Sequence, residues 1–557
     1  MLNAAITELF HELATYMQIA GENQFKIRAY KNAADAVADL KEPIETLAFN
    51  RQLENIKGLG ESSINKINEF LSTGKIQDLE KFRETYPASL LDLLHLPGLG
   101  AKRIALLYET QGVDSLDSLN AALQTDQLKR LPGFDAKNII AMRRVMDHWD
   151  ELRRLPLNQA TRIAEHFLER LRKCAAIERI EIVGSLRRGK DTVGDIDFLA
   201  QSNNAGEVQK YFCSLRGILQ IVEQTATVAT IRVPPGVNIS LEICDSANWG
   251  TRYFYGTGSK EHVRQATERA AEINADLNAQ PDEKNIYSLL NVSFIVPQLR
   301  EGRGEWEAAA QNNLPQLIEQ TQLRGDLHCH SDWSDGKSTI KQMARAARDK
   351  GYAYLAITDH SKALAFTNGL NASRLRQQAE EIAELQSGFP DLRILRGVEC
   401  DIMKDGSLDL EDDILHELDI VIISVHSEFH LDKTDQTDRI IRALQHPAVH
   451  LMAHPTGRIL GRRPSYEMDI DAVIAAASEL GKALEINSSE RLDLSDTNAF
   501  KARQQKVLLS IDSDAHSVNM LNNVKHGITT AQRAWCEEKD ILNAKPLDEL
   551  LKWLRRE

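Results

Sequence analysis

The chain has 557 residues, 42% of them hydrophobic, and a formal net charge of −14. Several domains are expected at that length, each with apolar content for its own core, and nucleic-acid binding through a global positive field is excluded. Cysteines at 174, 213, 244, 329, 400 and 536 show no Cys-x-x-Cys spacing, the start has no basic-then-apolar leader, and no apolar run is long enough to span a bilayer; a soluble, cytoplasmic protein without a disulfide framework is predicted.

Residues 4–20 have helical apolar spacing, and 25–34 continue as a basic amphipathic helix. Ile56-Lys57-Gly58-Leu59-Gly60 and Leu96-Pro97-Gly98-Leu99-Gly100 each place glycines at i and i+2 ahead of a helix. Glycine lets the backbone approach a phosphate, and the helix start offers free N–H donors. One such turn is as readily a plain helix connection. Two copies favour a DNA-backbone grip at Gly58, Gly60, Gly98 and Gly100, and each resembles a helix-hairpin-helix motif. Leu131-Pro132-Gly133-Phe134-Asp135 is a weaker third copy.

Gly184-Ser185 follows an apolar strand and can cradle a phosphate. Asp195 and Asp197, at i and i+2 on the next strand, turn both carboxylates to one face. Such a pair beside a Gly-Ser turn can hold magnesium against a triphosphate. With Arg187-Arg188 the stretch resembles the nucleotidyltransferase superfamily.

Further on, His328 and His330 stand at i and i+2, with Asp335 in a Ser-Asp-Gly turn behind them. Residues with metal-ligand chemistry then recur at the ends of apolar runs: His360 after 353–357, Glu399 after 395–398, His426 after 420–425, His454 after 449–453, and Asp514 with His516 after 507–511. Helical stretches such as 373–385 and 470–480 separate the runs. That alternation predicts a β/α barrel with its site at the C-terminal strand ends. Convergence of these residues predicts a multi-metal site.

The motifs Asp-Leu-His-Cys-His-Ser, Ile-Thr-Asp-His-Ser, Gly-Val-Glu, Ser-Val-His-Ser, Ala-His-Pro and Asp-Ser-Asp-Ala-His resemble the PHP domain over 322–557. The resemblance implies a distorted (β/α)7 barrel that hydrolyses phosphoesters. It also implies three divalent metals (manganese, zinc or iron) on His328, His330, Asp335, His360, Glu399, His426, His454, Asp514 and His516. Trp249-Gly250, Tyr255, Thr257-Gly258-Ser259-Lys260 and 297–302 extend the resemblance to bacterial family X DNA polymerases over nearly the whole chain. The implied architecture is multidomain: an α-helical 8-kDa-like helix-hairpin-helix domain at 1–80, fingers with a second such motif at 81–150, an α+β nucleotidyltransferase-like palm at 151–245 and thumb at 246–315. A short polar linker near 314–322 would let the barrel move. The implied partner is gapped, nicked or 3′-ended duplex DNA, bound by a monomer. A deoxynucleotide would meet Gly184, Ser185, Arg188 and Tyr255, with magnesium on Asp195 and Asp197. Lys66 matches the family's Schiff-base lysine of deoxyribose-phosphate lyase; Ser62 replaces a second lysine.

The polymerase pattern breaks at several positions. The third palm carboxylate, ten residues before Gly250, falls on Ser240, and the arginine two further on is Glu242. Gly256 replaces an aromatic, and Val263 stands where asparagine is common. Serine is a poor metal ligand and a poor base, so weak or absent nucleotidyl transfer is expected, with Glu242 on the same strand face as a partial substitute. Arg458 and Arg491, with Arg462 and Arg463, are candidate phosphate clamps or else surface ion pairs. Cys329 reads as a small core residue and Asp359 as a supporting carboxylate. The leading expectation is a metal-dependent 3′–5′ exonuclease or 3′-end-processing enzyme on a polymerase-like body. The alternatives are a working gap-filling polymerase with that exonuclease, a small-molecule phosphatase of the histidinol-phosphatase type, and a catalytically quiet DNA-binding scaffold.

Overall fold

The computed structural model describes residues 2–38, 40, 42–96, 99–125, 128–234 and 236–556. Its contacts divide the chain into two compact units. One is Met1–Arg154 with Arg170–Ile180 and Gly194–Cys244; the other is Leu155–Glu169 with Glu181–Val193 and Asp245–Glu557.

The first unit opens with helices α1 (Leu2–Ile19) and α2 (Gln24–Ala38). Ile6, Leu9, Phe10, Leu13, Tyr16 and Met17 form one buried stripe on α1, and it shares a core with Ile27, Tyr30, Ala34 and Val37 of α2. The first hairpin packs on α2 through Gly58, at φ +106°; a Cβ there would lie 3.0 Å from that of Ala36 and 3.3 Å from the Asn32 carbonyl. Glycine is thus required for both conformation and space. Helix α3 (Glu61–Thr73) follows Gly60 and ends at Gly74 in the left-handed region. Helix α4 (Ala101–Gln111) follows Gly100, and α5 (Ala136–Asp147) follows the third hairpin.

The same unit holds strands β1 (Asp195–Gln201), β2 (Gln220–Gln224), β3 (Val228–Val233) and β4 (Val237–Cys244), in the order β1-β4-β3-β2. β1 and β4 are parallel, and the other pairs are antiparallel. Burial alternates along β4 with period two. Ile196, Phe198, Ile231, Ile239 and Leu241 are buried on one face, leaving Asp195, Asp197 and Ser240 on the other.

In the second unit, helix α6 (Gly184–Arg187) begins at Gly184, which has φ +70°. Residues 249–310 build a helical core around Phe254, Ile286, Tyr287 and Trp306. The barrel strands are β5 (Gly325–Asp326), β6 (Tyr354–Ile357), β7 (Arg393–Asp401), β8 (Ile420–Ser424), β9 (Leu451–Met452), β10 (Ala483–Asn487) and β11 (Leu509–Asp512). Among the described residues they form one seven-stranded sheet in sequence order, every pair parallel. Both faces are buried, as a parallel sheet requires. Leu327, Ala356, Ile422 and Ala453 fill the interior, while Leu355, Ile357, Ile423 and Leu484 belong to the larger core that includes helix residues such as Met343, Ile382 and Ile440. The ring closes past the last strand: the Asp514 N–H donates to the His328 carbonyl at 3.0 Å, and the His330 N–H to that of Ala515 at 2.9 Å. Helix α7 (Val524–Arg533) packs against β10 and β11. The linker expected to be loose is fixed to this barrel: Ile318 is buried and its N–H donates to the Cys536 carbonyl at 2.9 Å.

Candidate functional site

Barrel closure brings together every residue with ligand chemistry anticipated there. His328 and His330 leave β5 on one face, with Nε2 atoms 3.1 Å apart. His360, His426 and His454 follow β6, β8 and β9, whereas Glu399 lies within β7. The Glu399 carboxylate is central: its Oε2 lies 2.9 Å from His360 Nδ1 and 3.4 Å from His328 Nε2, and its Oε1 lies 2.8 Å from His454 Nε2 and 3.5 Å from His426 Nε2. Asp514 Oδ1 is 3.2 Å from His330 Nε2, and Asp335 Oδ1 is 3.4 Å from His516 Nε2. His454, Leu492 and Asp514 occupy positive φ at 29°, 41° and 51°, strain gathered at the strand ends.

These donor atoms suit divalent cations. Ligands about 2.1 Å from a metal, at tetrahedral or octahedral angles, lie roughly 3.0–3.4 Å from each other. Three overlapping groups meet a metal-sized spacing: His330, Asp335, His360 and His516; His328, His330 and Glu399; and His360, Glu399 and His426. Burial, with His516 and His360 nearby, pushes His330 down to about 3, and burial beside Arg491 does the same to His454. Both rings therefore present lone pairs at neutral pH. Burial opposes ionisation of Glu399, but the surrounding histidines outweigh it and hold the carboxyl well below its usual range.

Other side chains orient these ligands. Glu485 Oε1 lies 2.7 Å from His328 Nδ1, and Asp401 Oδ1 lies 3.0 Å from His426 Nδ1. Each leaves Nε2 for a metal. Neither carboxylate was anticipated; the one signal was an acid inside an apolar strand, as in Ala483-Leu484-Glu485-Ile486. Asp359 accepts from the N–H and Oγ of both Ser331 and Ser334 and from Gln378 Nε2, a supporting role as expected. Cys329 is fully buried.

Of the arginines, Arg491 lies 3.9 Å from Asp514 Oδ2 and its buried Nη1 has no hydrogen-bond partner; the same is true of Arg458 Nε. Arg462 is an exposed ion pair with Glu490, and Arg463 covers the Phe429 ring.

In the sheet of the first unit, Ser240 is the register partner of Asp197. Parallel partners share a face, so the serine occupies the place beside Asp197 where a third carboxylate would stand, and its hydroxyl lies 3.0 Å from that of Thr230. Glu242 pairs instead with Leu199, about 7 Å further along the strand. In the second unit, Ser185 Oγ is buried without a hydrogen-bond partner, a donor suited to phosphate. Tyr255 is half-buried. Arg188 is committed internally, donating to Glu301 at 2.7 Å and to the Thr257 carbonyl at 2.7 Å.

At the hairpins, Gly60 and Gly100 cap their helices with no side-chain hydrogen bond, and a Cβ at either would meet nothing within 4 Å. Their first-turn N–H groups are open to a backbone phosphate. Gly98 lies outside the described residues. In the third copy, Asp135 caps its own helix, accepting from the Asn138 N–H at 2.9 Å, so this end is closed to an anion. Lys66 Nζ sits 2.6 Å from Asp78 Oδ2. Burial alone would lower the lysine pKa, but the Asp78 pairing outweighs it and raises it. Imine formation needs the neutral amine, so this ion pair opposes a lyase role.

Open helix-hairpin-helix turns, a palm-like sheet and a barrel with clustered ligands define a multidomain DNA polymerase X-type body joined to a PHP barrel. Residues 1–76 match the family described as helix-hairpin-helix domain, 90–143 the SAM-like helix-hairpin-helix tandem, and 326–489 the PHP domain. The chain is 37% identical over 568 residues to the DNA polymerase/3′-5′ exonuclease PolX of Bacillus subtilis (strain 168), covering 99% of each. It is also 33% identical over 232 residues to a probable phosphatase of Thermoanaerobacter sp. (strain X514), covering 39% of this chain and 89% of that protein. A probable phosphatase of Shewanella sp. (strain MR-4) is 30% identical over 237 residues, with 40% and 88% covered. The chain therefore belongs to the PolX family of DNA polymerase/3′-5′ exonucleases. Among the described residues, no helix is long and apolar enough to cross a membrane.

Proposed function

We propose that the chain is a metal-dependent 3′–5′ DNA exonuclease or 3′-end-processing phosphodiesterase, acting from the barrel on gapped, nicked or 3′-ended duplex. The observation that carries this reading is the convergence of His328, His330, Asp335, His360, Glu399, His426, His454, Asp514 and His516 on one site. Three divalent ions (manganese, zinc or iron) would supply Lewis-acid activation of water and charge neutralisation. The protein's part is to hold His330 and His454 unprotonated toward those ions, to orient His328 and His426 through Glu485 and Asp401, and to present Arg458 and Arg491 to the phosphate. Gly58, Gly60 and Gly100 bring the duplex backbone to open helix starts.

The palm is the weaker site. In the first unit Asp195 and Asp197 remain as magnesium ligands, but Ser240 supplies neither charge nor base; in the second, Gly184 and Ser185 offer a phosphate cradle. Loss of that group costs nucleotidyl transfer a factor of about 10²–10⁴. A gapped duplex with a 5′-labelled primer strand, incubated in manganese with and without deoxynucleotides, tests both statements. Shortening of the primer, lost in His330→Ala, is expected. Extension at the rate of a normal family member would instead favour the working polymerase. Hydrolysis confined to small phosphomonoesters would favour the phosphatase reading that the shorter relatives' names suggest.

A further inference from the structure

Asp191 lies in the segment after the Gly184-Ser185 turn and in none of the ligand or clamp motifs, yet it reaches a barrel arginine. Its Oδ2 is 2.8 Å from Arg458 Nη1, and both side chains are mostly buried. Asp191 is itself held on three sides: its Oδ1 accepts from the Thr192 N–H at 2.9 Å, its carbonyl accepts from the Leu157 N–H at 2.9 Å, and the segment is pinned to α7. That pin has two parts. Arg533 Nη1 donates to the Arg188 carbonyl at 2.9 Å, and Gly189 approaches Thr529 so closely that a Cβ would lie 2.2 Å from its methyl group.

Arg458, by contrast, stands on an irregular loop between β9 and the helix Ile470–Leu480. Apart from Asp191, the hydrogen-bond acceptor of its guanidinium is the Leu492 carbonyl. Nη1 and Nη2 each make one such contact, and the buried Nε–H has no protein partner. We propose that Asp191 is a positioning residue for the barrel reaction: it fixes the Arg458 guanidinium so that its uncommitted N–H groups meet the substrate phosphate. Two effects compete here. The aspartate offsets some of the positive charge a phosphate would feel, but it also removes, before binding, rotamer freedom that a free arginine would lose on meeting the phosphate. Positioning wins because the acid takes the Nη1 edge and leaves Nε, and because the loop offers that edge no other anchor. The inference rests on reading the barrel as a DNA phosphodiesterase with Arg458 as a phosphate clamp.

The test is steady-state 3′-end shortening of duplex DNA in manganese by full-length wild type, Asp191→Ala, Asp191→Glu, Arg458→Ala and the Asp191→Ala/Arg458→Ala double variant. Asp191→Ala should raise KM about tenfold with kcat within about twofold, and Asp191→Glu should recover most of the loss. Added to Arg458→Ala, the Asp191 change should do nothing more, because both act through one group. A lower KM in Asp191→Ala would show the acid to be a brake and overturn the proposal. So would a loss of the same size in the Arg458→Ala background, which marks a general structural effect. If Arg458→Ala alone leaves KM unchanged, the clamp fails and this inference with it. If wild type shortens no DNA, the barrel reading fails instead.

Discussion

Glu485 is fully buried in β10, with Oε1 2.7 Å from His328 Nδ1 and Oε2 accepting from the His454 N–H at 2.6 Å. One carboxylate thus sets one metal-facing ring, that of His328, and holds the backbone that carries another. Glu485→Gln keeps the shape and removes the charge, so it should weaken manganese binding about tenfold, the lower end of the range for such outer carboxylates. Titration followed by metal analysis of the desalted protein reads this without any activity assay; unchanged affinity would remove Glu485 from the site. A second buried group governs acid stability. His450 accepts from the Val421 N–H through Nδ1 at 3.1 Å and donates from Nε2 to the Leu554 carbonyl at 2.9 Å, a neutral ring that burial pushes down to about 4. The unfolded chain takes up this proton near its ordinary 6.5 and the folded barrel refuses it, so stability is lost as pH falls from 6.5 toward 4. The full loss is about 3 kcal/mol, roughly two-thirds of it by pH 5. Urea midpoints at pH 7 and pH 5 should fall less in His450→Gln than in wild type. At this scale the direct ligands were legible because imidazole and carboxylate recur at strand ends. Glu485 was not, because one acid in an apolar strand does not say which ring it will meet.

Strand β4 decides whether the palm works. Its register puts Ser240 beside Asp197 and Asn238 beside Asp195, with Leu241 and Ile239 buried behind. The scaffold of a three-carboxylate site is therefore intact, and one side chain is missing from it. Ser240→Asp should restore magnesium-dependent primer extension by about 10²–10³, measured as single-nucleotide incorporation into a gapped duplex. The companion Glu242→Gln should change extension little, because Glu242 stands one step further along the strand, beside Leu199. If the aspartate adds nothing, Ser240 does not limit nucleotidyl transfer. The count that placed Ser240 could be made from the chain because the spacing to Gly250 is ungapped, and the register agrees with it. The third hairpin was legible only as a weaker match: the reason, its Asp135 cap, is a hydrogen bond that no spacing reveals. The fixing of the linker at Ile318 was invisible for a similar reason, since its partner, Cys536, is more than two hundred residues away.

At the scale of the second unit, five charged side chains tie distant segments together. Arg188 and Arg533 share Glu301 Oε1 at 2.7 and 2.9 Å, and Arg533 and Arg303 share Asp496 Oδ2 at 2.8 and 2.9 Å. Arg533 is almost fully buried, and Asp496 is held ionised near 2 by its arginines against the opposing effect of burial. The signs alternate along the chain of contacts, with three cations and two anions, and that order fixes which deletion hurts. Removing Arg533 leaves two closed pairs, Arg188 with Glu301 and Arg303 with Asp496. Removing the charge of Glu301 leaves three cations around one carboxylate. Stranding a buried charge costs about 3–5 kcal/mol, whereas replacing balanced buried charge by apolar side chains is often neutral. Glu301→Gln should therefore destabilise the unit by an amount in that range, and Arg533→Met by clearly less. The decisive case is the double variant: Arg533→Met added to Glu301→Gln removes one of the two excess cations, so the pair should be more stable than Glu301→Gln alone. Urea unfolding in a chelator, which removes stabilisation by bound metal, gives the ranking. If the double variant is instead the least stable, Arg533 acts chiefly through its hydrogen bond to the Arg188 carbonyl and its packing, and charge alternation is not what holds α7 to the Gly184–Val193 segment.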